Sequence, residues 1–131
     1  MAARILIVDD NPTNLKLACD LLEIEGYQIE KANDAEEALA IIGKTQFDLV
    51  LMDIELPGMD GLTLTRLLKE TPATQQIPVV ALTAFAMKGD DQKAFQAGCA
   101  GYITKPIDTR KFPQQIAEYL TKPLASEGKA L

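Results

Sequence analysis

Histidine is absent from this 131-residue chain, which excludes Ser-His-Asp and Cys-His nucleophile pairs, His-based metal sites and a phosphohistidine carried on the chain itself. Tryptophan is absent as well, and four Phe and three Tyr are scattered, so the chain offers no stacking platform for nucleic-acid bases. Positive charge is in short supply. Against 19 Asp and Glu stand 13 Lys and Arg, a net charge of −6, the wrong sign for a surface that displaces counterions from DNA or RNA. Cys19 and Cys99 are too few for a disulfide framework or a Cys-rich zinc site. No apolar run approaches the roughly 18 residues that span a bilayer, and the amino terminus lacks the apolar stretch of a signal peptide. A soluble, cytoplasmic protein of a reducing compartment is the expectation. Its chemistry has to run on carboxylates, hydroxyls, lysines or the two thiols.

What the chain does have is a repeating alternation of short aliphatic runs and longer amphipathic segments. Ile5–Val8, Asp48–Met52 and Pro78–Leu82 are continuous apolar runs of the kind found in strands covered on both faces. Residues 27–32 and 101–104 are weaker strand candidates, the former alternating enough to be an edge. Between them, Leu15, Ala18, Leu21, Leu22 and Ile24 form a helical stripe that stops at Gly26. Asp34 with Glu37 three residues later reads as a capping box ahead of Ala38, Leu39, Ile41 and Ile42. Leu62, Leu64, Leu67 and Leu68 mark a third helix, and residues 85–97 and 108–120 a fourth and fifth, with Pro113 predicting an irregular start to the last. Five β-α units of this kind predict an α/β, doubly wound domain with a parallel sheet and helices on both faces. Residues 1–122 are expected to form that domain and residues 123–131 a flexible tail.

In an open parallel sheet, ligands bind outside the carboxyl ends of the strands, where strand order reverses. At those ends stand Asp9, Asp10, Asp53, Thr83 and Lys105. Carboxylates brought together repel: two unit charges 4 Å apart cost about 4 kcal/mol at an effective dielectric near 20. A hard divalent cation removes that penalty, and Mg²⁺ suits best because it takes a few oxygens and keeps its other waters. Lys105 offsets one charge and is placed to pair with Asp53. A cation and an ammonium around a carboxylate are what phosphoryl transfer onto that carboxylate requires, with Asp53 attacking in line and a Thr hydroxyl donating to one phosphoryl oxygen.

The stretches ILIVDDNPTNLKL, DLVLMDIELPGMDGL, IPVVALTAFAM and GCAGYITKPID, in this order and spacing, resemble the response-regulator receiver domain of two-component signalling, over residues 4 to about 120. The resemblance implies a CheY-like, flavodoxin-like (βα)5 fold with strand order 2-1-3-4-5. It implies phosphorylation of Asp53 and Mg²⁺ ligation by Asp10, Asp53 and the backbone carbonyl of Glu55, with Asp9 acting through metal-bound water. It further implies phosphoryl-stabilising roles for Thr83 and Lys105, a switch made of Thr83 and Tyr102, a cis bond before Pro106, and tuning of dephosphorylation by Glu55 and Phe85. The implied phosphoryl donor is a sensor histidine kinase or a histidine phosphotransfer protein. With no output domain in 131 residues the effector is expected to be a separate protein, with no direct nucleic-acid or membrane partner and oligomeric state open. Such a receiver phosphorylates and dephosphorylates itself without being a turnover enzyme.

Each residue also has a plainer reading. Asp9 and Asp10 would cap the first helix together with Asn11 and Pro12, and Asp53 would be an ordinary loop acid before Pro57-Gly58. Thr83 would bond its own backbone, Lys105 would be a solvated lysine, and Tyr102 a half-buried core aromatic. Cys99, between Gly98 and Ala100, is a mild redox candidate but reads better as a small buried residue, and Cys19 as helix packing. Among other functions, a metal-dependent phosphatase with an Asp nucleophile is the enzyme alternative, since Asp53-Ile54-Glu55 is loosely similar to an Asp-x-Asp pair. A nucleotide or flavin site is opposed by Asp9-Asp10 where a glycine-rich loop would be needed, and a receiver taken from a longer hybrid kinase remains open.

Overall fold

The structure, a computed structural model, describes residues 3–54, 61–83, 95–104 and 107–121. Local chemistry sets the element boundaries. Strand β1 (Arg4–Val8) leads into α1 (Pro12–Ile24), whose cap is Asn11: its side chain accepts the N–H groups of Thr13 and Asn14 at 2.9 and 3.2 Å, and Pro12 takes the first helical position. The helix ends where expected. Gly26 has φ +93, its N–H donates to the carbonyl of Glu23, and the Tyr27 N–H reaches back to Leu22, the double closure of a Schellman motif. Strand β2 (Gln28–Ala32) follows, then α2 (Ala35–Ile42), where Asp34 accepts the Glu37 N–H at 2.8 Å. The capping box is only half as expected, because the Glu37 carboxylate lies against the Asn33 side-chain amide at 3.5 Å.

Strand β3 covers Leu49–Asp53, one residue later than the apolar run suggested. Asp48 is tied to Arg4 instead: its N–H donates to the Arg4 carbonyl at 2.8 Å, and its carboxylate accepts the Arg4 N–H at 2.8 Å. Asp53 therefore ends the strand itself. Helix α3 (Gly61–Glu70), β4 (Val79–Thr83) and β5 (Gly101–Thr104) precede a C-terminal helix, Phe112–Thr121. That helix starts four residues later than expected, because Asp108 first organises a turn, its carboxylate accepting the N–H groups of Arg110 and Lys111 at 3.0 and 3.4 Å. Pro113 then falls in the opening turn, which tolerates it. Of the expected fourth helix, residues 95–97 are helical and residues 85–94 lie outside the described residues, as do Glu55, Lys105, Pro106 and the tail at 123–131.

All strand pairs are parallel, in the order β2-β1-β3-β4-β5. The apolar runs are continuous because alternate residues enter two different cores. Leu6, Val8, Val50, Met52, Val79 and Ala81 face α2 and α3. Ile5, Ile7, Leu49, Leu51, Val80 and Leu82 face α1 and the C-terminal helix, where Phe112 and Ile116 are fully buried. The edge strand β2 is largely exposed, in keeping with its alternating sequence. Among the described residues no helix is long and apolar enough to cross a membrane.

One glycine sits where a side chain cannot. A Cβ on Gly61 would overlap the backbone of Asp53 and Ile54, with Ile54 Cα only 2.7 Å away, and the Gly61 N–H donates to the Ile54 carbonyl at 3.2 Å. Helix α3 thus begins pressed against the end of β3. Gly61→Ala is expected to lower stability by about 1–3 kcal/mol in urea unfolding, since backbone has to shift. Gly43→Ala, at φ −66 with its nearest neighbour at 3.4 Å, is expected to be neutral or to add about 0.5 kcal/mol.

Candidate functional site

From β1 the chain runs outward to β2 and then crosses to β3 on the other side of β1, so strand order reverses between β1 and β3. A crevice at the carboxyl ends of these two strands is the standard ligand position in such sheets. The residues there are acidic. Asp9 follows β1 directly: its N–H prolongs the ladder to the Ala32 carbonyl at 3.1 Å, and one carboxylate oxygen accepts the Asn11 N–H at 2.9 Å. Since Asn11 itself caps α1, the caps of that helix do not account for Asp9 and Asp10. Asp53 arrives from the end of β3, paired with Leu82 of β4, with the Ile54 N–H bonded to the Leu82 carbonyl at 3.1 Å.

One carboxylate oxygen from each of Asp9, Asp10 and Asp53 lies within 4.8 Å of the others. Asp9 and Asp53 are 1% and 2% exposed, whereas Asp10 is open to solvent at the mouth. At this separation each charged pair costs about 3–4 kcal/mol at an effective dielectric near 20. The donor set fits a small hard cation: two acids held by the backbone, a third at the opening, and solvent access for the waters that Mg²⁺ retains. Loop acids in general lie exposed and apart, so the plain reading of Asp53 does not account for its burial beside two others.

Thr83 ends β4, the strand beside β3, and is buried at 2% exposure. Tyr102 lies farther out, on the edge strand β5, with 38% of its surface exposed. The geometry therefore unites the three aspartates, sets Thr83 on the next strand end and leaves Tyr102 at the rim of the sheet. Lys105, Glu55, Phe85 and Pro106 lie outside the described residues.

Two neighbours of Tyr102 escaped the sequence reading. The ring of Phe95 meets it edge to face, with centroids 6.3 Å apart and planes at 79°. The hydroxyl of Tyr119, on the C-terminal helix, is hydrogen-bonded to the Tyr102 backbone, and it passes where a Cβ of residue 101 would stand. Burial pushes the Tyr119 phenol above its usual range. A glycine inside a strand is a signal for such a close approach, and Gly101 carried it.

The cysteines are both free and buried, on opposite faces of the sheet. Burial raises both thiols; Cys99, enclosed beside the Thr65 hydroxyl at 4.0 Å, has the environment of a packing residue rather than of a reactive thiolate.

The model of the response regulator receiver domain matches residues 5–117. The polar-differentiation response regulator DivK of Brucella anthropi is 45% identical over 112 residues, covering 86% of this chain and 91% of that protein. A CheY-like response regulator receiver domain protein from Methanospirillum hungatei JF-1 superposes with a TM-score of 0.84 at 33% identity over the full length of both chains. The receiver domain of the sensor histidine kinase PA1611 from Pseudomonas aeruginosa PAO1, whose active-site cleft coordinates a magnesium ion, gives 0.84 at 30% identity, over 93% of this chain and all of that one. A five-stranded parallel sheet in this order, with acids gathered at its switch point, has the same kinship as the sequence: the chain belongs to the response regulator receiver domain family.

Proposed function

We propose that Asp53 accepts a phosphoryl group from a phosphohistidine on a separate sensor histidine kinase or histidine phosphotransfer protein in the cytoplasm. Supporting this is the convergence of Asp9, Asp10 and Asp53 at the β1/β3 crevice, with Thr83 buried on the adjoining strand end. Asp10 and Asp53 would hold Mg²⁺ directly and Asp9 through water; when bound, the ion supplies positive charge for the phosphoryl oxygens. The part left to the protein is positioning. A carboxylate oxygen of Asp53, positioned at the strand end by pairing with β4, attacks phosphorus in line. The new O–P bond forms as the P–N bond breaks, and the imidazole nitrogen leaves with the electron pair and takes up a proton. Water later cleaves the acyl phosphate and regenerates Asp53, so the chain turns over no substrate of its own.

The readout follows from charge. A phosphoryl group on Asp53 draws the Thr83 hydroxyl toward it, and the Tyr102 ring turns into the vacated space, shifting an equilibrium between two conformations. The face made by residues 95–97, β5 and the C-terminal helix then presents a changed surface to a separate effector protein. The roles implied for Lys105, Glu55, Phe85 and Pro106 rest on the sequence alone.

Two outcomes test this reading. With Mg²⁺ and acetyl phosphate, intact-mass spectrometry should find one added phosphoryl group in the parent chain and none in Asp53→Ala; labelling that persists in the variant contradicts it. In thermal unfolding without Mg²⁺, Asp10→Asn should be more stable by about 1 kcal/mol, the solvent-weakened share of the repulsion, or about 2–4 °C. The parent chain should gain stability with rising Mg²⁺, and Asp10→Asn should lose most of that gain.

A further inference from the structure

Tyr102 is held by two groups that have no part in the acidic site. Its ring projects from the edge strand and stands edge to face with Phe95, a residue itself half exposed. Its backbone is bonded to the Tyr119 hydroxyl, which crosses over Gly101 from the opposite face of the sheet. In β5 the burial alternates: Gly101 and Ile103 turn toward the C-terminal helix, and Tyr102 and Thr104 away from it. Thus Tyr119 fixes the strand from one side and Phe95 engages the ring on the other. An apolar ring left half in water is otherwise unfavourable, and its one ring partner among the described residues is Tyr102.

We propose that Phe95 is a positioning residue that holds the Tyr102 ring in its outward orientation, while Tyr119 anchors the backbone about which that ring turns. This rests on the reading of Tyr102 as the moving part of a phosphorylation switch and adds the device that sets its resting state. Turning inward breaks the edge-to-face contact. Such contacts shift an equilibrium about two- to tenfold beyond the area they bury. Phe95 therefore keeps the unphosphorylated chain outward by that factor, and any ligand that selects the inward state binds correspondingly more weakly. Ring chemistry at position 95 sets the threshold without touching the phosphoryl group.

The test uses the full chain labelled with 3-fluorotyrosine, with Tyr102→Phe identifying the Tyr102 fluorine signal. Beryllofluoride with Mg²⁺ serves as the phosphoryl mimic. In the parent chain the Tyr102 signal should move on saturation. In Phe95→Ala it should begin part of the way toward the saturated position, and the half-saturating beryllofluoride concentration should fall two- to tenfold. Phe95→Tyr, which keeps a ring, should behave as the parent, a rescue that general loosening of the fold would not produce. If Phe95→Ala and the parent share both signal position and half-saturation, the role of Phe95 is refuted while the switch stands. If the parent signal stays fixed although beryllofluoride binds, the switch reading falls and this inference with it.

Discussion

Three carboxylates that repel one another have to be kept within 4.8 Å, two of them out of water, and the structure is arranged around that requirement. No side chain in isolation would adopt this position. Asp9 is fixed by a backbone hydrogen bond to Ala32, which ends β2, and by the Asn11 N–H, and Asp53 by its pairing with Leu82 of β4 and the Ile54 N–H bond to the Leu82 carbonyl. Gly61 closes the arrangement by letting α3 rest on the Asp53–Ile54 backbone where any larger residue would displace it. The repulsion is stored by the rigidity of a central parallel sheet. A cation that relieves it is thereby bound to the folded state, which links metal affinity to stability.

That rigidity comes from the two cores. Alternate residues of β1, β3 and β4 are buried on opposite faces, so neither strand end can rotate without opening one of them. The acids thus follow strands buried on both faces, whereas Tyr102 lies on the edge strand β5 with 38% of its surface exposed.

The architecture was largely legible in the sequence. Continuous apolar runs announced strands covered on both faces, and Gly26 marked its helix end through a positive φ that other residues avoid. The three aspartates could be nominated because each follows an apolar run, and the parallel topology turns wide spacing in sequence into proximity. Boundaries were less legible where side chains compete for backbone groups: Asp48 with Arg4 delays β3, and the Asp108 turn delays the last helix. Least legible were contacts between residues with no shared periodicity. Phe95, Tyr119 and Gly61 gain their meaning from what lies across a strand or beneath a helix end, which no periodicity in the sequence records.

The aspartates at the ends of β1 and β3 are placed to share one cation. Substoichiometric Mn²⁺ added to the isotopically labelled chain measures this directly, through paramagnetic broadening of backbone amide signals. Residues 9–11 and 53–54 are expected to broaden first and together, excess Mg²⁺ to restore them, and the acidic Glu36–Glu37 turn to be spared. Broadening spread over the acidic surface, or confined to one strand end, would contradict it.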